Sequence, residues 1–129
     1  MNCASGTFEV KVLPLASPPA EGLMRMSINK QIHGGLEATS TGEMISGGNP
    51  KAGFAGYVAM EMVTGKLDGK SGSFALQHVG TMDASGQNLE ILVVPGSGTG
   101  ELIGIAGKFR ISIANGQHSY EFEYTLDGN

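Results

Sequence analysis

Hydrophobic and polar residues alternate along most of this chain with a period of two, the spacing of a half-buried β-strand. Near the start, for example, Phe8, Val10 and Val12 fall on one face with charged residues between them. No segment has the periodicity of an amphipathic helix. The pattern predicts an all-β protein with eight strands, at Thr7 to Leu13, Leu23 to Ile32, Leu36 to Ser46, Phe54 to Thr64, Ser73 to Met82, the run LEILVVP that ends at Pro95, Lys108 to Ala114, and Ser119 to Leu126.

Eight short antiparallel strands leave two exposed edges unless the sheet closes on itself or splits in two. Many of the 21 glycines lie inside or at the ends of the predicted strands, as expected where a coiled sheet bends. We therefore predict a closed antiparallel eight-stranded β-barrel, with a β-sandwich as the alternative. The length of 129 residues, without a linker or internal repeat, predicts a single domain over residues 1–129.

The segment GSGTGELIGIAG, residues 96–107, is the stretch most similar to a nucleotide-binding loop. It has three residues between the second and third glycines of GTGELIG, where the dinucleotide fingerprint needs two, and no helix is predicted after it. A P-loop is excluded because Phe109 stands where serine or threonine is required. We instead predict a structural connection with a short helical turn from Thr99 to Leu102, in which Leu102 and Ile105 fill the core.

This segment, followed by a strand with an aromatic residue, resembles the glycine-rich segment of the allene oxide cyclase and dirigent-type barrels, which are calycin-like. Together with GTFEVKVLPL, GYVAMEMVTGKLDGKSGSFALQHVGTM and HSYEFEYTL, nearly the whole chain resembles an uncharacterised family of small bacterial proteins assigned to that fold. The resemblance implies a barrel with an apolar lumen. The cyclase relatives shape a fatty-acid-derived intermediate there, and the dirigent relatives steer the coupling of phenolic radicals. Their functional side chains match no position here, so the resemblance assigns no site residue.

The fourth and fifth strands carry the candidate catalytic residues. If LDGKSG forms a two- or four-residue hairpin loop, odd positions of the fourth strand share a face with even positions of the fifth. Glu61 and His78 then lie on one face, which also holds Tyr57, Phe74 and Leu76. Burial of either group alone is costly, so we expect them to pair, and such a pair can act as general acid and base. The alternatives are a polar pair that fixes the register, or a face that meets solvent.

Methionines provide a second candidate feature, because Met24 with Met26 and Met60 with Met62 each share a face. Methionine adapts to irregular apolar partners, so these residues either line a lumen for a flexible ligand or simply fill the core. The opposite face of the same hairpin is also apolar, which predicts a homo-oligomer. The candidate ligand-binding residues are Tyr57, Phe74, Leu76, Met24 and Met26.

The composition of the chain limits the classes of molecule that we expect it to bind. The net charge of −4, with two arginines and six scattered lysines, lacks the basic face that nucleic acid requires. Cys3 is the only cysteine and has no partner for an internal disulfide. His33, His78 and His118 are too far apart for a metal-binding motif, so we predict no metal and no cofactor. The first residues do not resemble a targeting segment, and no stretch has the length of a membrane span, so we expect a cytoplasmic protein without a membrane partner.

Three functions remain. The first is a barrel that binds a small apolar or amphipathic molecule without chemistry, which we favour. The second is an isomerase or cyclase that uses the same lumen with Glu61 and His78 as proton-handling groups. The third is a structural oligomer with a filled core.

Overall fold

Each of the eight alternating segments forms a strand in the computed structural model, which describes residues 2–126. Every strand pairs antiparallel with the next, and the last strand pairs with the first, so the sheet closes into a barrel. This confirms the closed barrel and excludes the sandwich. The strands are β1 (Asn2–Pro14), β2 (Leu23–Gly34), β3 (Leu36–Asn49), β4 (Phe54–Leu67), β5 (Lys70–Asp83), β6 (Gly86–Val93), β7 (Ile105–Ala114) and β8 (Gln117–Leu126), with short 3-10 turns at Pro50–Ala52 and Gly100–Leu102.

The strands are longer than the alternation predicts, most clearly at the start of the chain. β1 begins at Asn2, five residues before the predicted start at Thr7, because Asn2 pairs with Tyr124 and Gly6 with Tyr120 of β8. These first residues are polar or small and show no apolar alternation. Their strand conformation therefore depends on pairing with the far end of the chain, which sequence periodicity does not report.

The β4–β5 turn fixes which residues face the interior. Asp68 and Gly69 have φ angles of 48° and 88°, and Leu67 pairs with Lys70, which makes a two-residue type I′ hairpin. The resulting register pairs Ala59 with His78, so odd positions of β4 share a face with even positions of β5. The predicted register is confirmed.

The inward side chains form a packed apolar interior that is dominated by aromatic rings. Phe74 stacks on Phe122 with centroids 5.6 Å apart, and Phe109 stacks on Tyr120 at 5.0 Å. Such ring pairs add to the free energy gained from burying apolar area. We call the barrel end that contains the β4–β5 turn the closed end, and the end where β2 and β4 begin the open end.

The glycine-rich segment after β6 covers the closed end. Its backbone runs beside the start of β5, where the Ala75 amide donates to Ser97 Oγ at 3.0 Å and the Thr99 amide donates to the Ser73 carbonyl at 2.9 Å. The 3-10 turn at Gly100–Leu102 then directs the Leu102 side chain into the core. Leu102 and the following Ile105 are both buried, which confirms the structural role predicted for this segment.

The wall has one weakly paired boundary, between β6 and β7. Among residues 2–126, adjacent strands elsewhere share ladders of seven or more residue pairs, whereas β6 and β7 are paired at Leu92 and Lys108 alone. We call this boundary the β6–β7 seam.

The buried Leu102 side chain acts as a plug at the closed end, and comparison with its exposed neighbour Ile103 tests its importance. Leu102 is 1% exposed and Ile103 is 69% exposed. Leu102→Ala should lower the free energy of unfolding by about 2 to 5 kcal/mol because it leaves a cavity in the core. Ile103→Ala is the matched control and should change it by less than about 0.5 kcal/mol. Urea denaturation measures both, and equal effects would contradict the proposed plug.

Candidate ligand-binding site

Four polar side chains are buried on the inner faces of adjacent strands, midway along the barrel. Lys30 lies on β2, Ser40 on β3, Glu61 on β4 and His78 on β5. Together they form the polar cluster. Toward the closed end the same strands carry apolar core residues, so the polar cluster separates the packed interior from the open end.

Glu61 is the centre of the polar cluster. Lys30 Nζ donates to Glu61 Oε2 at 2.9 Å, the Ser40 hydroxyl donates to Oε1, and His78 Nε2 contacts Oε2. The ammonium of Lys30 also lies 5.0 Å from the ring centroid of Phe8, within cation–π range. Each buried charge therefore has a counter-charge and hydrogen bonds, which is the condition under which burial is tolerated.

These contacts determine the ionisation of Glu61. Burial by itself raises the pKa of the carboxyl, but the hydrogen bond to His78, the charge of Lys30 and the hydrogen bond from Ser40 together lower the pKa to about 2. The carboxylate is ionised at neutral pH and can only accept hydrogen bonds. Because a general base works best with a pKa near the working pH, Glu61 is poorly matched to direct proton abstraction.

Tyr57 connects the polar cluster to the open end. Its hydroxyl lies 3.3 Å from His78 Nδ1. Burial, with a smaller effect of the Glu61 charge, raises the pKa of the phenol, so Tyr57 stays neutral. Gly80 makes this placement possible, because a Cβ atom at that position would lie 2.4 Å from Tyr57 Cε1. The tyrosine ring therefore covers a glycine on the neighbouring strand, a pairing that recurs in sheets that bend strongly.

A cavity of about 410 Å³ occupies the open end of the barrel. This volume is within the range of small-molecule sites. Four methionines contribute to its wall. Tyr57, His78 and Glu61 form a hydrogen-bonded chain, and Tyr57 is the one member of it among the described lining residues. We call it the open-end cavity; it is lined by Met24, Met26, Met44, Ser46, Pro50, Ala55, Gly56, Tyr57, Gly80, Thr81, Met82, Gln87, Asn88 and Leu89.

The predicted site residues fall into three places. Glu61 and His78 are in direct contact in the polar cluster, and Tyr57, Met24 and Met26 line the open-end cavity. Phe74 and Leu76 face inward as well, but they are fully buried in the packed interior, nearer the closed end, and do not line that cavity.

Other predicted features lie apart from the site. The expectation that Met60 and Met62 line the lumen or fill the core is wrong, because even positions of β4 face outward and both side chains are half-exposed on the barrel wall. His33 contacts Glu9 at 2.9 Å on the surface, and His118 packs on Phe8 with ring centroids 5.1 Å apart. Cys3 is exposed.

Sequence reasoning missed Lys30, Ser40, Met44 and Met82. Lys30 carried a detectable signal, because it occupies an inward position of β2 between Ile28 and Ile32. A lysine in the apolar face of a strand needs a buried counter-charge, and Glu61 was the available carboxylate.

Within residues 2–126, no three His, Cys, Asp or Glu side chains are grouped closely enough to hold a metal ion. The same part of the chain has no helix of the length and apolarity that would cross a membrane.

The fold and site together define a closed eight-stranded antiparallel barrel with one plugged end, a buried ionic cluster and an apolar cavity at the other end. The chain belongs to the DUF3224 family of proteins of unknown function, whose family model matches residues 4–124. It is similar to a solved protein of unknown function from this family, from Shewanella oneidensis MR-1, with 46% identity and a TM-score of 0.91 over 100% of this chain and 99% of that one. No curated protein matches. The predicted membership of an uncharacterised family is thus established, and the relation to allene oxide cyclase and dirigent-type barrels stays a prediction.

The buried carboxylate gives a prediction for acid stability. A pKa lowered from 4.5 to about 2 means that Glu61 stabilises the fold above pH 4.5 and that this contribution is lost as the pH falls toward 2. The contribution is on the order of 3 kcal/mol. Glu61→Gln should remove this part of the acid limb in urea denaturation curves measured from about pH 6 to pH 2.

The same substitution leaves Lys30 buried without a counter-charge, so it should cost about 3 to 5 kcal/mol at neutral pH. Glu123→Gln is the matched control, because Glu123 pairs with Arg110 on the exposed surface of β7 and β8, where solvent screens the charges and the effect should be small. An acid limb that is unchanged in Glu61→Gln would contradict the assignment of this loss of stability to protonation of Glu61.

Proposed function

We propose that this protein binds a small apolar or amphipathic molecule in the open-end cavity. The observation that carries the proposal is an apolar cavity of about 410 Å³ at one end of a barrel whose other end is packed and plugged. A structural barrel gains stability by filling its interior, because empty apolar space forfeits dispersion contacts. A cavity of this size at a single end is typical of barrels that hold a ligand.

The wall of the cavity supports a flexible or variable ligand. Met24, Met26, Met44 and Met82 are unbranched and polarisable, so their side chains can adapt to ligands of irregular shape. Tyr57 supplies a polar atom near the base, which suits an amphipathic molecule with one polar group.

A cavity-filling substitution tests the proposal. Ala55→Phe places a ring in the cavity, whereas Thr64→Phe places the same ring on the outer surface of the same strand. Native mass spectrometry of protein purified from its own host should show a bound small molecule in the wild type and in Thr64→Phe. Ala55→Phe should lose it, because the ring occupies the ligand's volume.

The outcomes separate the candidate functions. A bound molecule retained in Ala55→Phe would place the ligand elsewhere and contradict the proposal. Wild-type protein without a bound molecule, and without affinity for apolar probes, would favour the structural oligomer instead.

A second candidate is an isomerase or cyclase, favoured by the chain of contacts from Tyr57 through His78 to Glu61. In this arrangement Glu61 would orient His78, and the proton would move through His78 and Tyr57. The candidate requires a turnover that falls in both Glu61→Gln and His78→Ala. Retained turnover in both variants would reject it.

We also propose that a second copy of this chain covers the outer wall of β2 to β6. Cross-strand pairing there aligns Arg25, Ile45, Val58, Val79 and Glu90 in one row. The row is apolar in the middle, where Val58 and Val79 are exposed, and Arg25 at one end is already paired with Glu43. A copy related by a two-fold axis would cover these exposed valines with its own apolar row.

Sedimentation velocity at micromolar concentration should therefore detect a dimer or larger oligomer. Val79→Glu should shift it to the monomer, because two-fold symmetry places the buried charges of both copies in one interface. Thr39→Glu, on the outer surface nearer the closed end, should leave the mass unchanged. A wild-type monomer would contradict the proposed self-association.

A further inference from the structure

The hydrogen-bonded chain below the open-end cavity has a direction, and that direction limits which ligands fit. Every donor in the polar cluster points at Glu61, whose ionised carboxylate can only accept. The His78 nitrogen that faces it, Nε2, therefore carries hydrogen.

The charges of the polar cluster then indicate whether the other ring nitrogen of His78, Nδ1, carries hydrogen. Lys30 and Glu61 are an ion pair with N and O atoms 2.9 Å apart, so the buried set has no net charge when the imidazole is neutral. A neutral imidazole with hydrogen on Nε2 has a lone pair on Nδ1. The Tyr57 hydroxyl, 3.3 Å away, is its partner and must donate to it.

Tyr57 has one hydroxyl hydrogen, and this contact uses it. What the phenol oxygen can still offer to a ligand is its lone pairs. Among the described residues, Tyr57 is the one that both belongs to this chain and lines the cavity. We infer that the ligand of the open-end cavity carries a hydrogen-bond donor, an alcohol, phenol or N–H group on an apolar body, which donates to the Tyr57 oxygen. This inference rests on the proposed binding function and adds the chemical class of the ligand.

Three probes of nearly equal size test it: 1-naphthol donates and accepts, 1-methoxynaphthalene only accepts, and naphthalene does neither. Equilibrium dialysis measures their affinities from the absorbance of free probe in the protein-free compartment, where the three tyrosines of the chain do not contribute. We expect the wild type to bind 1-naphthol about fivefold more tightly than 1-methoxynaphthalene, the effect of one net hydrogen bond.

Two variants assign the preference to Tyr57. Tyr57→Phe keeps the ring over Gly80 and removes the hydroxyl, so the two affinities should become equal. Ser46→Ala is the matched control, because it removes a different hydroxyl from the cavity wall and should keep the fivefold preference.

A third variant reverses the direction of the hydrogen bond that Tyr57 can offer to a ligand. His78→Leu removes the acceptor of the Tyr57 hydrogen, which leaves the hydroxyl free to donate to a ligand. The preference for 1-naphthol should then disappear, and 1-methoxynaphthalene should bind this variant at least as tightly as 1-naphthol does. Circular dichroism of each variant verifies the fold. If His78→Leu does not fold, Tyr57→Phe and Ser46→Ala still decide the question.

Failure of the inference differs from failure of the binding function. Equal wild-type affinities for all three probes, or a preference that survives in Tyr57→Phe, would overturn the donor requirement and leave apolar binding intact. Absence of binding for all three probes would overturn the proposed function itself.

Discussion

The arrangement of half the barrel depends on the hydrogen bonds and ion pair that the Glu61 carboxylate makes with neighbouring strands. The carboxylate accepts hydrogen bonds from Lys30 on β2, Ser40 on β3 and His78 on β5, so one side chain of β4 holds both neighbouring strands and a third beyond them. Burial of an unpaired charge costs far more than a weak packing contact. A register shift of one residue in any of these strands would turn its polar group to the outside and leave the others unpaired. The polar cluster therefore selects one alignment among the several that apolar packing alone would allow.

The same requirement for pairing explains which parts of the structure the sequence could predict. Period-two alternation and the Asp68-Gly69 turn were enough to predict eight strands, the register of the β4–β5 hairpin, and the common face of Glu61 and His78. Parity along a strand gives the face on which a residue lies, but not its height in a closed barrel, because height depends on strand tilt and stagger. For this reason Phe74 and Tyr57 were indistinguishable in sequence, although the structure places one in the core and the other at the cavity.

The two ends of the barrel are made from different residues for physical reasons. The closed end is filled by rings and by Leu102, which the glycine-rich segment delivers from outside the ladder. The open end is lined by methionines, whose flexible side chains fill space less rigidly than branched or aromatic ones. The polar cluster lies between these regions, and Tyr57 connects it to a cavity whose lining is otherwise mainly apolar. The amphipathic ligand proposed above would then have one favourable orientation, with its polar group toward Tyr57.

The β6–β7 seam is the boundary at which the closed barrel can open most easily. Leu92 and Lys108 form the one residue pair at this boundary. Loss of that pair would convert the closed barrel into an open eight-stranded sheet. Breathing of the barrel would therefore begin there, and the two unzipped edges would be those of β6 and β7. Since the strands on either side keep their full ladders, such an opening would expose Ile91 and Phe109 to water while the buried ionic group stayed assembled.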